Sequence, residues 1–363
     1  MDAGLVDKSS EQAASPLQAE LQGTIRSALG NGRPILTHLN ADTTWLLSLA
    51  YPDDTSPPAG RLRYNILIDP WLDGPQEDLA GWFSRQWHVV KSSVQTISEL
   101  EDLLHDMEAI YFQSTRLGSH SEEPGTQWTG SFIDAVAVSH EFTDHCHKAT
   151  LTQLDPNVPV FATQKAARLI QGWHYFDAVL EMTTLTKGVD WRKTSLAPLP
   201  DWVGIGRLIT ECDSLHLHSA VVICVRQRQS PIDAAETVVY SPHGVEASTL
   251  SVFDGASPPL TALAFLHGLH DVSLAWSKQL NLGALNAVRA QKLLRAKYWV
   301  ATHDEEKLGS GLIAPLLRRK VVTVAEAVQS LRAGPDKNVY GSEHWAEGLE
   351  CVELRNGESI LLE

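Results

Sequence analysis

The sequence predicts an α/β fold whose sheets are covered by helices, and three observations carry that reading. Apolar runs of strand length recur, from residues 44–50 (TWLLSLA) to 298–301 (YWVA). Stretches with apolar residues at helical spacing are interspersed among them. Apolar side chains make up 43% of 363 residues, which supports a substantial core. The length calls for two layers or two half-domains, yet no interior linker marks a boundary. Residues 16–363 therefore read as one intertwined domain, behind a small, polar segment 1–15 expected to be disordered.

The elements follow in order. Leu17, Leu21, Ile25 and Leu29 fall at helical spacing and stop at Gly30-Asn31-Gly32. Residues 44–50 and 64–68 (YNILI) read as strands of a long hairpin around PDDTSPPAG, and Asp69-Pro70 ends the second abruptly. A helix is expected near 97–107 and a loop over 114–130. The unbroken run 135–139 (AVAVS) then reads as a fully buried strand. Strand 158–162, helix 164–173 and strand 178–182 come next. Strands 219–225 and 237–240 flank a hydrophilic turn and precede strand 262–266. A long helical stretch within 273–296, strand 298–301 and a helix near 324–331 continue the alternation. Residues 351–354 and 359–362 read as a closing hairpin.

Composition narrows the partners. With 29 basic against 44 acidic residues the formal charge is −15, which disfavours nucleic acid and anionic membranes and leaves a small molecule as the expected partner. The four cysteines form no CxxC pair, so neither a disulfide framework nor a thiolate zinc cluster is expected. No leader-like segment is visible, and no apolar run approaches the roughly 18 residues of a membrane span. A cytoplasmic protein is the expectation, with the oligomeric state, a homodimer included, left open.

The histidines carry the chemistry. There are 15, and they cluster behind apolar runs. His140 and His145 follow 135–139, and His216 and His218 open 219–225. His243 follows 237–240, His267 and His270 follow 262–266, and His303 follows 298–301. A lone histidine at a strand end is ordinarily a hydrogen-bonding loop residue. Repetition over five strands is different, because strands ending on one sheet edge bring their trailing loops together around a metal. Imidazole and carboxylate donors suit zinc, iron or manganese.

The segment His140-Glu-Phe-Thr-Asp-His145 resembles the His-x-His-x-Asp-His signature of the metallo-β-lactamase fold superfamily, and it too directly follows a buried strand. Ile66-Leu67-Ile68-Asp69-Pro70 is similar to a strand end of its lactonase-like branch, and the wording is nearest to uncharacterised fungal members. The resemblance spans roughly residues 35–317. It implies a four-layer αββα sandwich of two mixed β-sheets flanked by helices, and a metal-dependent hydrolase. Two departures stand out. Phe142 occupies the place of the motif's second histidine, and His243 stands where a bridging carboxylate is expected.

Carried over on the matching positions, the first metal site keeps His140 with His216 or His218 and loses one ligand. The second keeps Asp144, His145 and His303 and gains His243. The resemblance thus implies a single ion on the Asp144/His145 side, zinc by default, unless His147 replaces the missing ligand. Asp144 would orient the attacking water, and His140 or His243, where not a ligand, would shuttle a proton or steady the oxyanion. Trp71, Phe142, His267 and His270 are candidate pocket residues, and Asp69 and Asp304 candidate supports for the ligands. The aromatic stretch Trp71, Trp82, Phe83, Trp87 and His88 would wall the pocket. No nucleophile elbow or phosphate loop is present. The expected activity is hydrolysis of a small organic ester, lactone or amide, with a phosphoester ranked lower. A catalytically degenerate binding protein and a mononuclear-iron oxidoreductase are the alternatives.

Overall fold

Alternation along the strands sorts the side chains into layers. In the strand Ala135–Val138, Ala135 and Ala137 face one apolar cluster while Val136 and Val138 face another. Both faces are buried, as the unbroken run predicts. The computed structural model describes residues 32–363, apart from 79–80, 117–127, 212, 214–215, 228–229, 231, 275–277 and 335–342. The expected disordered segment 1–15, the helix around Leu17–Leu29 and most of the loop 114–130 lie outside the described residues.

The first large sheet contains β1 (Ile35–His38), β2 (Trp45–Ala50), β3 (Arg63–Ile68), β6 (Ala135–Val138), β7 (Val160–Ala162), β8 (Val179–Glu181) and β20 (Ser359–Leu361). Its order is β20-β1-β2-β3-β6-β7-β8. The second contains β9 (Thr183–Thr184), β10 (Val203–Ile209), β11 (Ser219–Arg226), β12 (Ala235–Ser241), β13 (Leu260–His267), β16 (Tyr298–Ala301) and β19 (Cys351–Val352), in the order β19-β16-β13-β12-β11-β10-β9. Both are mixed. β2 and β3 pair antiparallel, as the long hairpin requires, whereas β3, β6, β7 and β8 run parallel. In the second sheet β12, β13, β16 and β19 are parallel.

The sheets pack face to face. Leu36, Leu47, Ile66 and Phe161 from the first meet Val203, Ile223, Val238 and Leu266 from the second, all buried. Helices α1 (Ile97–Arg116), α2 (Lys148–Leu151) and α3 (Gln164–Gln171) belong to the first half of the chain. Leu100, Leu104 and Ile170 pack with Leu67 and Val136. Helices α4 (Ala284–Leu294) and α5 (Val324–Ala333) lay Ala287, Val288 and Leu331 on Val239, Phe265 and Trp299. The result is a four-layer αββα sandwich. Two three-stranded sheets complete it: β4 (Gln76–Asp78) and β17 (Leu308–Ser310) flank β5 (Ser84–Trp87), while β15 (Lys278–Asn281) and β18 (Leu317–Lys320) flank β14 (Asp271–Leu274).

Two expectations are corrected. The C-terminal runs do not form a hairpin: β19 adds parallel to β16, and β20 adds antiparallel to β1, so the chain end joins both sheets. Each run is short and finds its hydrogen bonds on an existing edge, with Trp299 opposite Cys351 and Ile35 opposite Leu361. The helical stretch within 273–296 is in part β14 and β15, and the helix begins only at Ala284 after Gly283. β14 also pairs with β18, a partner more than forty residues onward that local periodicity cannot register.

Candidate metal centre

The parallel strands set up the site. β3 and β6 in one sheet, and β12 and β16 in the other, end at the same rim, where their trailing residues meet. Asp69 follows β3, His140 follows β6, His243 lies two residues past β12, and His303 two past β16. Asp144 and His145 sit in the tight turn after His140, where the amides of His145 and Cys146 both donate to the Phe142 carbonyl. Asp69 and His303 hold positive φ of 44° and 58°, sharp exits that only a rigid surround maintains.

Among the described residues, two overlapping triads bring their donor atoms within 4.8 Å: His140, His145 and His243, and Asp144, His145 and His303. Hydrogen bonding separates them. His145 donates from Nδ1 to Asp69 Oδ2 at 2.7 Å, His243 from Nδ1 to Asn281 Oδ1 at 2.8 Å, and His303 from Nδ1 to Asp42 Oδ1 at 3.0 Å. Each of these bonds places a proton on Nδ1 and turns Nε2 inward, the nitrogen a metal would take. His145 Nε2 and His243 Nε2 are 3.0 Å apart, and Asp144 Oδ1 lies 3.6 Å from the former. At that distance the two nitrogens can share a proton or ligate one ion. His140 differs: its Nε2 donates to the Leu217 carbonyl at 2.9 Å and its Nδ1 faces Ser139 Oγ at 2.8 Å. Its Nε2 is thereby committed to Leu217, while Ser139 gives its one hydroxyl proton to Asp69.

The donor set, three imidazoles and one carboxylate, fits a borderline divalent ion such as zinc, iron or manganese. Electrostatics agree. Burial holds His243 and His303 below the ordinary imidazole range, so both are neutral ligands in waiting. Burial opposes charge on His145 too, but the carboxylates of Asp144 and Asp69 outweigh it and raise its pKa. For Asp144 burial is outweighed by Lys307 and the surrounding histidines, which keep it well below the usual carboxylate range.

The other candidates are placed as follows. Asp69 accepts from His145, the Ser139 amide and hydroxyl, and the Tyr240 hydroxyl, tying the two sheets together behind the histidines. Phe142 lines a cavity of about 190 Å³ together with Asp144, Leu217, His243, His303 and Lys307. His216 is exposed, and His218 is half-buried beside Asp213; neither joins the converging donors. Leu217 between them is turned inward instead. His147 is taken by Thr150 Oγ1 and the Pro75 carbonyl. His267 bonds the Gly268 carbonyl and Asn286, and His270 approaches Arg319, so neither lines the cavity. Asp304 accepts the amides of Leu269 and His270 and holds that turn, with no bond to a converging histidine.

Trp71 is fully buried and stacks on His88 at 3.7 Å, outside the cavity lining. Of the aromatic stretch, β5 offers Ser84 and Gln86 to the cavity, while Trp82 is 70% exposed. Cys146 is buried and its thiol is pushed upward, which leaves it a poor nucleophile. A larger groove of about 620 Å³, bordered by Arg33, Pro52 and Arg226, holds none of these groups.

Two charged residues were not foreseen. Asp42, in the turn between β1 and β2, holds His303, and Lys307 lies in the loop after it. Their sequence contexts, NADTT and HDEEK, read as ordinary solvent loops. The only signal was their closeness to strand ends that carry the histidines.

No protein-family model matches the chain, and no curated protein does. Solved structures do. A possible metal-dependent hydrolase from Veillonella parvula DSM 2008 aligns with a TM-score of 0.51 at 12% identity, over 91% of this chain and 100% of its own. The isothiocyanate hydrolase from Delia radicum gut bacteria aligns at 0.51 and 18% identity, over 91% and 99%. The metallo-β-lactamase fold protein YhfI from Bacillus subtilis aligns at 0.44 and 13% identity, over 90% and 99%. At such identities the likeness is one of fold. The chain has the four-layer αββα sandwich that the resemblance of its His140–His145 segment implied, an architecture it shares with proteins described as hydrolases.

Proposed function

We propose that the protein is a metal-dependent hydrolase of a small organic ester, lactone or amide, with one divalent ion, zinc by default, held by Asp144, His145, His243 and His303. The observation that carries this reading is that two donor triads, His140/His145/His243 and Asp144/His145/His303, share His145 beside a cavity. Iron and manganese accept the same donors. When bound, the ion would supply Lewis acidity, acidifying water towards neutrality and polarising a substrate oxygen.

The chain's own residues do the rest. Asp69, Asn281 and Asp42 fix the three imidazoles so that little reorganises during reaction. Phe142, Leu217, Leu280 and Ile313 give the cavity apolar walls that suit a small organic substrate. The acidic surface surplus makes a polyanionic phosphoester the weaker choice. His140, whose Nε2 donates to the Leu217 carbonyl, is assigned a positioning role there in place of the proton shuttle.

The test is hydrolysis by zinc-reconstituted and chelator-stripped protein of a panel of lactone, ester, amide and phosphodiester probes. An isothiocyanate, also attacked at an electrophilic carbon, joins the panel because one structural relative bears that name. Turnover of a carbon electrophile that disappears on stripping, returns with zinc and falls at least about a hundredfold in Asp144→Ala supports the proposal. A protein that holds metal yet turns over no probe would be a binding protein, and tight iron with oxygen consumption would make it an oxidoreductase.

A further inference from the structure

Lys307 bridges two buried carboxylates at the edge of the centre. Its Nζ is 2.8 Å from Asp144 Oδ2 and 2.7 Å from Asp42 Oδ2, and its side chain is 8% exposed. Trp71 stands 5.4 Å from the ammonium and closes one side. Asp144 is therefore divided: Oδ2 is held by the ammonium, while Oδ1 faces His145. Resting on the proposed single-ion hydrolase, we infer that Lys307 is a built-in cation that takes the place of a second divalent ion and limits the centre to one.

Charge balance supports this. Three buried carboxylates, Asp42, Asp69 and Asp144, surround the centre. One ammonium and one divalent ion neutralise them, whereas a further divalent ion would leave a buried excess of two positive charges, which a low-dielectric site penalises heavily. The donor inventory agrees. Phe142 offers no lone pair, and the Nε2 of His140 is committed to the Leu217 carbonyl. The ammonium also lines the cavity beside Asp144 and His303, so it is placed to meet the oxygen of a substrate drawn towards the ion.

The experiment is equilibrium dialysis of the full chain against zinc in large excess, with metal counted by mass spectrometry, on wild type, Lys307→Met and Lys307→Arg. The expected result is one equivalent in wild type and Lys307→Arg, and a second in Lys307→Met, whose freed Asp42 and Asp144 can take it. In the cobalt-substituted Lys307→Met protein, magnetic coupling between two neighbouring ions should diminish the paramagnetic resonance signal. Should Lys307→Met fold only in the presence of zinc, the same count is made on protein refolded in it. Two equivalents in wild type, or one in folded Lys307→Met, overturns the inference and leaves the hydrolase reading intact. No bound zinc in wild type overturns the hydrolase reading itself.

Discussion

Asp69 illustrates how much of the centre is built by residues that would never touch the ion. It is fully buried, and four donors converge on its carboxylate from both sheets. One of them, His145 Nδ1, decides which nitrogen of that ring is left for the metal. Asp69→Asn keeps the shape but weakens that bond, and the amide nitrogen can favour the opposite tautomer. Metal affinity should fall about 10–100-fold with the fold retained, a range seen for such supporting residues. Competition with a colorimetric zinc chelator measures it, and an unchanged affinity would remove Asp69 from the account. At this scale the sequence was partly legible. Asp144, His145, His243 and His303 announce themselves by residue type at strand ends. Asp42 and Lys307 do not, since a carboxylate and an ammonium in polar loops look solvated until the fold turns them towards each other.

Individual elements explain why some histidines enter the site and others stay out. His216 and His218 share a side if the strand extends to them, but β11 begins only at Ser219, and His216 has a positive φ of 55°. The chain turns there, and Leu217 faces inward with its carbonyl on His140. Pairing period alone could not reveal that, because the residue at which a strand starts is set by its neighbour, here β10 opposite Ser219. The turn after β12 carries the clearest local requirement. Gly244 has a φ of +86°, and a Cβ added to it would lie 2.7 Å from Leu282 Cβ and 2.9 Å from the Leu282 carbonyl oxygen. The amide of Leu282 donates to the His243 carbonyl, so a shift at this point moves the ligand and its Asn281 support together. Gly244→Ala should destabilise the protein by roughly 2–5 kcal/mol, the sum of left-handed strain and overpacking. It should also weaken zinc binding. Urea unfolding with and without zinc checks both, and a loss below about 0.5 kcal/mol would contradict the steric argument.

Taken whole, the molecule places its chemistry at the rim where two stacked sheets present the carboxyl ends of parallel strands. Sheets covered by helices were legible in the alternation of strands and helices and in the buried run 135–139, whereas the four-layer order came from the resemblance of the His140–His145 segment. The chain end was not, because two short strands on different sheets look the same in sequence as two strands of one hairpin. The formal charge of −15 bears on partners and says little of the site, two of whose carboxylates are paired with Lys307. The central claim is that the Nε2 atoms of His145, His243 and His303, together with Asp144, hold a divalent ion. The most direct measurement is the zinc content of the purified full-length chain beside its Asp144→Ala and His145→Ala variants. The account predicts one tightly held equivalent in wild type and its loss in both variants. Less than about a tenth of an equivalent in wild type after zinc reconstitution, unchanged in the variants, would contradict it.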